Sequence, residues 1–193
     1  RLYEGGNVPL FHRYQVENEL EAMHLPRVEL KSGGSIVLNP TEALVAVDVN
    51  SGRSTRERHI EETALRTNLE ACDEISRQLR LRDLAGLIVI DFIDMENARN
   101  QGQVERRLKE AMKNDRARIQ LGRISPFGLL ELSRQRLRPS LFETSFTLCT
   151  FCAGTGVRRT TESTALSIFR RIEQEGVNGN AGQITVKVPV AVA

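Results

Sequence analysis

Two apolar runs bracket a long amphipathic stretch, and this arrangement limits the possible folds more than any other feature of the chain. The runs are Ala43 to Val49 (Ala-Leu-Val-Ala-Val-Asp-Val) and Leu87 to Ile93 (Leu-Ile-Val-Ile-Asp-Phe-Ile). Runs of this length, rich in β-branched residues, match strands. Between them Ile60, Ala64, Ala71, Ile75 and Leu79 form one helical stripe, with Leu65, Leu69 and Cys72 beside it. Glu61 and Glu62 occupy its first turn and Arg77, Arg80 and Arg82 its end, as the helix dipole favours. A helix is therefore predicted over 60–81. Strand, helix and strand in that order make a βαβ unit with parallel strands. The second run does not alternate, which predicts burial on both faces.

A further helix is predicted over Asn97–Asn114, with Val104, Leu108, Ala111 and Met112 inward, and then a strand over Ala117–Ile124. These extend the pattern to a second βαβ unit. After the Pro126-Phe127-Gly128 turn, Leu129–Ser133 reads as one more strand. Towards the start, Leu10–Met23 reads as a helix ended by Pro26. Arg27–Lys31 and Ser35–Leu38 read as short strands around Gly33-Gly34, followed by the Asn39-Pro40 turn signal. Ser51–Arg58 reads as a polar, basic loop. Past Cys152 the texture changes: an Ala153–Gly156 loop, a helix over Glu162–Gln174 and a strand over Gly182–Ala193 form a separate small unit. The fold class is α/β, a mixed sheet with βαβ units, carrying a small α+β appendage.

Composition narrows the function classes. Of 193 residues 40% are hydrophobic, and 27 basic side chains face 25 acidic ones. That apolar content excludes a disordered tail. The longest apolar run is far short of the ~20 residues a membrane-spanning helix needs. Three cysteines, an odd number, do not make a disulfide framework. With no apolar leader at the start, a reduced, cytoplasmic setting is expected. The absence of an initial Met and the apolar last residues are expected to be the edges of a longer polypeptide.

Three constellations carry chemistry. The first is a pair of acids, Asp48 and Asp91, each interrupting one of the apolar strands near its carboxyl end. An ionised carboxylate in such a strand is costly unless paired. Two of them at neighbouring strand ends lie where open α/β sheets hold ligands. A hard divalent cation such as Mg²⁺, which takes one or two carboxylates and keeps its waters, relieves their repulsion. The plain alternative is that each caps a turn or pairs with an arginine. Asp94 is expected to cap the turn before the next helix.

The second is a basic stretch. Between Asp115 and Arg138 six arginines (116, 118, 123, 134, 136 and 138) stand against two acids, and Arg53, Arg56 and Arg58 follow Asp48. Arginine suits bidentate phosphate contacts, so a phosphodiester substrate is expected. For Arg77, Arg80 and Arg82 a solvated or Glu-paired helix face is the better reading.

The third is Cys149-Thr-Phe-Cys152-Ala-Gly-Thr-Gly156. Two thiolates at this spacing can hold one metal, and the glycines let backbone N–H groups turn toward sulfur. A redox dithiol competes with this reading, but it belongs at a strand-to-helix junction. A structural zinc needs four ligands and this motif supplies two. Cys72 lies on a helix flank, and His12, His24 and His59 lack ligand spacing. A second copy of the motif from another subunit completes the set, which predicts a zinc-bridged homodimer. No phosphate-binding P-loop, dinucleotide fingerprint, H-E-x-x-H or nucleophile elbow is present.

The strings Ala46-Val-Asp-Val-Asn-Ser51, Glu61-Glu-Thr63, Thr67-Asn-Leu-Glu-Ala71, Arg77 to Leu84, Gly86 to Met95 and Cys149 to Gly156 together resemble the catalytic region of the ribonuclease E/G family. The resemblance covers nearly the whole chain. It implies a Mg²⁺-dependent, single-strand-specific endoribonuclease of messenger RNA decay and of ribosomal and transfer RNA maturation. It implies that Asp48 and Asp91 hold the catalytic Mg²⁺ and that Asn50 helps position the scissile phosphate. By the same resemblance Cys149 and Cys152 bind a zinc shared between subunits, whose dimers pair into a tetramer, and Arg118 belongs to a pocket for an RNA 5′-monophosphate. Residues 1–23 would end a ribonuclease H-like subdomain and 24–145 would form a deoxyribonuclease I-like domain. Residues 146–159 would be a zinc link, and 160–193 a small, truncated dimerisation domain. Degradosome proteins, and attachment to the inner membrane, would involve regions outside this chain. Two other classes remain open: an RNA-binding or assembly module without cleavage, and a zinc-stapled structural protein.

Overall fold

A tight hairpin opens the sheet. Strand β1 (Arg27–Glu29) turns through Gly33-Gly34 into β2 (Ser35–Pro40), with Leu30 N–H donating to the Gly34 carbonyl at 2.8 Å. The computed structural model describes residues 3, 7–52, 60–179 and 183–188. The chain divides into two units, residues 1–146 and 147–193.

In the first unit six strands form one mixed sheet in the order β1-β2-β3-β4-β6-β5. β3 is Val45–Asn50, β4 Gly86–Asp91, β5 Ile119–Ile124 and β6 Leu129–Arg134. β3 and β4 are parallel and joined by α3 (Ile60–Leu81), so the expected βαβ unit is present. The second crossover differs. β4 leads through α4 (Ala98–Ala111) to β5, but β6 sits between them, antiparallel to both. The β5–β6 hairpin folds back, and β6 takes the inner place because Leu130 and Leu132 are fully buried there. β5, with a register shift between Leu121 and Ile124, is left at the edge, where bulges are tolerated.

Burial on the central strands alternates. Val45, Val47 and Val49 of β3, Ile88 and Ile90 of β4 and Leu130 and Leu132 of β6 face one side. There they meet Ala71, Ile75 and Leu79 of α3 and Val104 and Leu108 of α4 in one core. The opposite face carries Ala46, Asp48, Asn50, Leu87, Val89, Asp91 and Glu131. Leu87 is 45% exposed, so the expectation that 87–93 is buried on both faces does not hold. Both long helices lie on one side of the sheet. The run is continuously apolar because the half-buried Val89 still shields the open face.

α3 spans the predicted range, although Ile60 is exposed and the buried stripe starts at Ala64. α4 is capped by the Asn97 side chain, which accepts the Arg99 N–H at 2.9 Å, and runs into a 3₁₀ turn at Met112–Asn114. The single helix expected over 10–23 is two, α1 (Leu10–Arg13) and α2 (Val16–Ala22), broken where Gln15 takes φ +56°. A short helix α5 (Leu141–Ser145) follows Ser140, whose side chain accepts the Glu143 N–H. Its Ser-x-x-Glu capping pattern is legible in the sequence, though the helix was not expected.

In the second unit, turns over 150–156 precede α6 (Thr161–Val177), capped by Thr160. Residues 183–188 form no strand, and the rest of the strand expected over Gly182–Ala193 lies outside the described residues. So does most of the Ser51–Arg58 loop, including Arg53, Arg56 and Arg58. No helix among the described residues is long and apolar enough to cross a membrane.

Candidate active site and cysteine turn

The two acids singled out in the sequence stand opposite each other. Asp48 of β3 and Asp91 of β4 are register partners in the parallel ladder, both exposed on the open face. Strand spacing places their backbones about 4.8 Å apart. Burial, reinforced by the charges of Asp48 and Asp94, holds the Asp91 carboxyl above its ordinary range. The like-charge part of that shift, from Asp48 and Asp94, is one that a nearby cation would offset. Asn50 belongs to the same cluster, since its amide donates to Asp48 Oδ2 at 2.8 Å and fixes the carboxylate's rotation. Asn50 is held in turn by the hairpin. A Cβ on Gly34 would lie 2.6 Å from the Asn50 carbonyl oxygen, so only glycine lets β2 approach this closely.

The segment after β4 is clamped from the helices. Asn68 of α3, fully buried, accepts the Ile93 N–H at 3.0 Å and donates to the Ile93 carbonyl at 2.8 Å. Glu61 accepts the backbone N–H groups of Glu96 and Asn97 and the Asn100 amide, which together hold its carboxyl below its ordinary range. Gln101 donates to the Met95 carbonyl at 2.8 Å. These bonds fix where Asp91 and Asp94 project. Asp94 does not cap α4, because Asn97 does. Instead it faces Gly128 across a cavity of about 120 Å³ lined also by Phe92, Gln101, Ser125 and Pro126. Sequence reasoning missed Asn68 and assigned Glu61 to the helix dipole. The available signal was a polar side chain on a buried helical stripe, which requires a partner.

The basic stretch is split by the structure. Arg134 is not free for a substrate. Its side chain and that of Asp115 are each 2% exposed, paired at 2.8 Å, and Arg134 also donates to the Leu84 carbonyl. Burial pushes the Asp115 carboxyl up, but the Arg134 hydrogen bonds and the Ala117 N–H outweigh it and hold it low. Arg136 pairs with Glu143 and Arg138 with Asp83. Arg116, Arg118 and Arg123 are exposed and form no ion pair among the described residues. Arg118 precedes β5, which points the same way as β4. It therefore stands at the opposite end of the sheet from the acid pair, roughly 17 Å along the strands. Arg77 pairs with Glu19 and Glu74 as expected. Arg82 is instead buried, donating to Gln78 Oε1 at 2.7 Å and to the Leu25 carbonyl at 2.8 Å.

Cys72 is a core residue, and burial pushes its thiol well up. Cys149 is exposed and Cys152 half-buried, joined by turns in which Ala153 N–H reaches the Cys149 carbonyl and Thr155 N–H the Cys152 carbonyl. The backbone N–H groups of Cys152 and Phe151, then the Cys152 thiol, lower the Cys149 thiol. Such N–H groups aimed at sulfur suit a metal thiolate. α6 begins only at Thr161, so neither cysteine opens a helix, as a redox dithiol would. Among the described residues no three His, Cys, Asp or Glu side chains gather as a metal cage.

This is an α/β domain presenting a registered acid pair on its sheet, followed by a two-cysteine turn. A family model described as the Ribonuclease E/G family matches residues 1–137, and one described as RNase E/G, Thioredoxin-like domain matches residues 148–193. The chain belongs to the ribonuclease E/G family. Ribonuclease E of Haemophilus influenzae is 58% identical over 193 residues, all of this chain and 20% of that relative. Ribonuclease E of Escherichia coli is likewise 58% identical over the same span, 18% of its length. Ribonuclease G of Salmonella typhimurium is 41% identical over 167 residues, 86% of this chain and 34% of that protein. The chain thus spans about a fifth of the length of these ribonuclease E relatives.

Proposed function

We propose that this chain is the catalytic part of a Mg²⁺-dependent endoribonuclease that hydrolyses single-stranded RNA in messenger RNA decay and in ribosomal and transfer RNA processing. The observation that carries this reading is the Asp48–Asp91 register pair, with the Asp91 carboxyl held above its ordinary range by burial and by the charges of Asp48 and Asp94, in a chain of the ribonuclease E/G family. Asp48 and Asp91 would hold the ion. When bound, Mg²⁺ supplies a Lewis acid beside the scissile phosphate and lowers the pKa of water. Asn50 orients the Asp48 carboxylate and would help hold the phosphate. Asn68, Glu61 and Gln101 keep the 91–97 segment in place. Hydrolysis breaks the P–O3′ bond and leaves a 3′-hydroxyl and a 5′-phosphate. Arg118, far from the acids along the sheet, is assigned to an RNA 5′-monophosphate.

Cys149 and Cys152 would supply half of a zinc site completed by the same pair of a second copy, giving a dimer and, by pairing of dimers, a tetramer. On this reading 1–23 ends a ribonuclease H-like subdomain, 24–145 is deoxyribonuclease I-like, 146–159 is the zinc link and 160–193 the dimerisation domain. The setting is cytoplasmic, with degradosome proteins and any inner-membrane attachment belonging to other regions of the full protein.

The test is incubation with a 5′-monophosphorylated single-stranded RNA in Mg²⁺ and in EDTA. Internal cuts only in Mg²⁺ support the reading. Binding without cuts overturns it in favour of an RNA-binding module. Metal analysis should find one zinc per two chains, and a Cys149→Ala chain that keeps zinc and mass refutes the shared site.

A further inference from the structure

The outer side of the sheet edge holds a second basic feature. Between α4 and β5 runs a groove of about 600 Å³ with Arg106, Lys109, Lys113 and Arg123 along it and Met112 and Leu121 in its floor. We propose that this groove, on the helix-covered side of the sheet, is a track for the backbone of single-stranded RNA, running along β5 toward the end of the sheet at which the acid pair stands on the other face. The inference rests on the endoribonuclease reading for its substrate.

Five observations carry it. Arg106 and Lys109 are three residues apart on α4, and Lys113 continues the line into the 3₁₀ turn, so the cations succeed one another on one face. Arg106, Lys109 and Arg123 form no ion pair among the described residues, and only Lys113 is engaged, with Glu110 at 2.7 Å. Among the described residues Glu105 is the one acid lining the groove, and its carboxylate is committed to the Ile124 N–H at 2.9 Å. The groove ends at Arg123, beside Ile124 and Ser125, which line the small cavity holding Asp94. β5 spans roughly 17 Å from Ile119 to Ile124, enough for a few nucleotides.

An acidic peptide adding as a further strand to β5 fits less well. The register shift between Leu121 and Ile124 breaks the ladder, and Glu105 already occupies the Ile124 N–H that an added strand would need. A polyanion needs only the cations, and the apolar floor accommodates sugar and base faces.

The experiment is fluorescence anisotropy in EDTA with a labelled oligouridylate of about twenty nucleotides, titrated at several salt concentrations. An Arg106→Ala/Lys109→Ala/Arg123→Ala chain removes three phosphate partners, so its log–log salt slope should be shallower by about 2 and its affinity lower by about tenfold or more at low salt. A Lys109→Gln/Arg123→Gln chain, which retains the aliphatic stems over the floor, should lose about 1.4 of slope and serves if the triple variant melts early. An unchanged slope overturns the proposal, as does failure of the parent chain to bind. Equal binding of an oligoglutamate of matched charge assigns the groove to an acidic peptide and likewise overturns it. Because binding is read in EDTA, loss of the groove is distinguished from loss of Mg²⁺-dependent cleavage.

Discussion

Replacing Asp91 by Asn should make the metal-free chain more stable while removing its response to Mg²⁺. Asp48 and Asp91 stand opposite each other across one parallel strand pair. At a separation of about 5 Å, Coulomb repulsion between two carboxylates is about 0.8 kcal/mol in water. Both are exposed, and physiological salt reduces the figure to about 0.5 kcal/mol. For a chain of this size that is a rise in melting temperature of about 1–2 °C in EDTA. Mg²⁺ at a hundred times its dissociation constant should stabilise the parent chain by about 2.7 kcal/mol, several degrees. The Asn variant keeps one carboxylate and should gain little. The two melting curves therefore change order between EDTA and Mg²⁺. Differential scanning calorimetry reads this directly. A variant that melts below the parent in EDTA, or that shifts equally in Mg²⁺, refutes the shared-ion reasoning.

Arg134→Met should cost about 3–5 kcal/mol in urea denaturation, because it strands a buried carboxylate, and Asp115→Asn added to it should recover most of the loss. Asp115 is held low in the fold, so its contribution is complete above its unfolded value of about 3.9 and is lost as pH falls through the folded value. An Asp115→Asn chain should accordingly show a flatter stability profile in that acid range. In EDTA an aromatic disulfide reagent should modify Cys149 first and leave Cys72 untouched until the chain unfolds; early modification of Cys72 contradicts its core position. Gly128→Ala should lower the melting temperature by a few degrees, since residue 128 has φ +79° and a Cβ would sit 3.1 Å from Asp94 Oδ1.

Much of the sheet was legible because hydrophobic period and turn residues are local signals. α3 matches the range read from its stripe, and β3 and β4 fall on the two apolar runs. What was not legible is pairing. Nothing local in Leu129–Ser133 says that it inserts between β4 and β5, since that place is decided by competition for the core between Leu130 and Leu132 and the more polar β5. The same holds for the site. That Asp48 and Asp91 each end an apolar strand is visible in the sequence, but their common register depends on how α3 closes the crossover. Arg134 reads like its neighbours until the fold turns it inward onto Asp115. Gln15, with φ +56°, breaks a helix whose apolar spacing runs on across it.

The register of β3 against β4 has a consequence for how this site can vary. The gap between the two acid-bearing backbones is a lattice constant of parallel β structure, the same in any sheet. Insertions or deletions in the connections at either end of α3 leave it untouched as long as the register is kept. The only free variable is side-chain reach, and one methylene changes that by more than a metal's coordination distance tolerates. Asp48→Glu or Asp91→Glu should therefore be as damaging to ion binding as removing the charge, although either change conserves it.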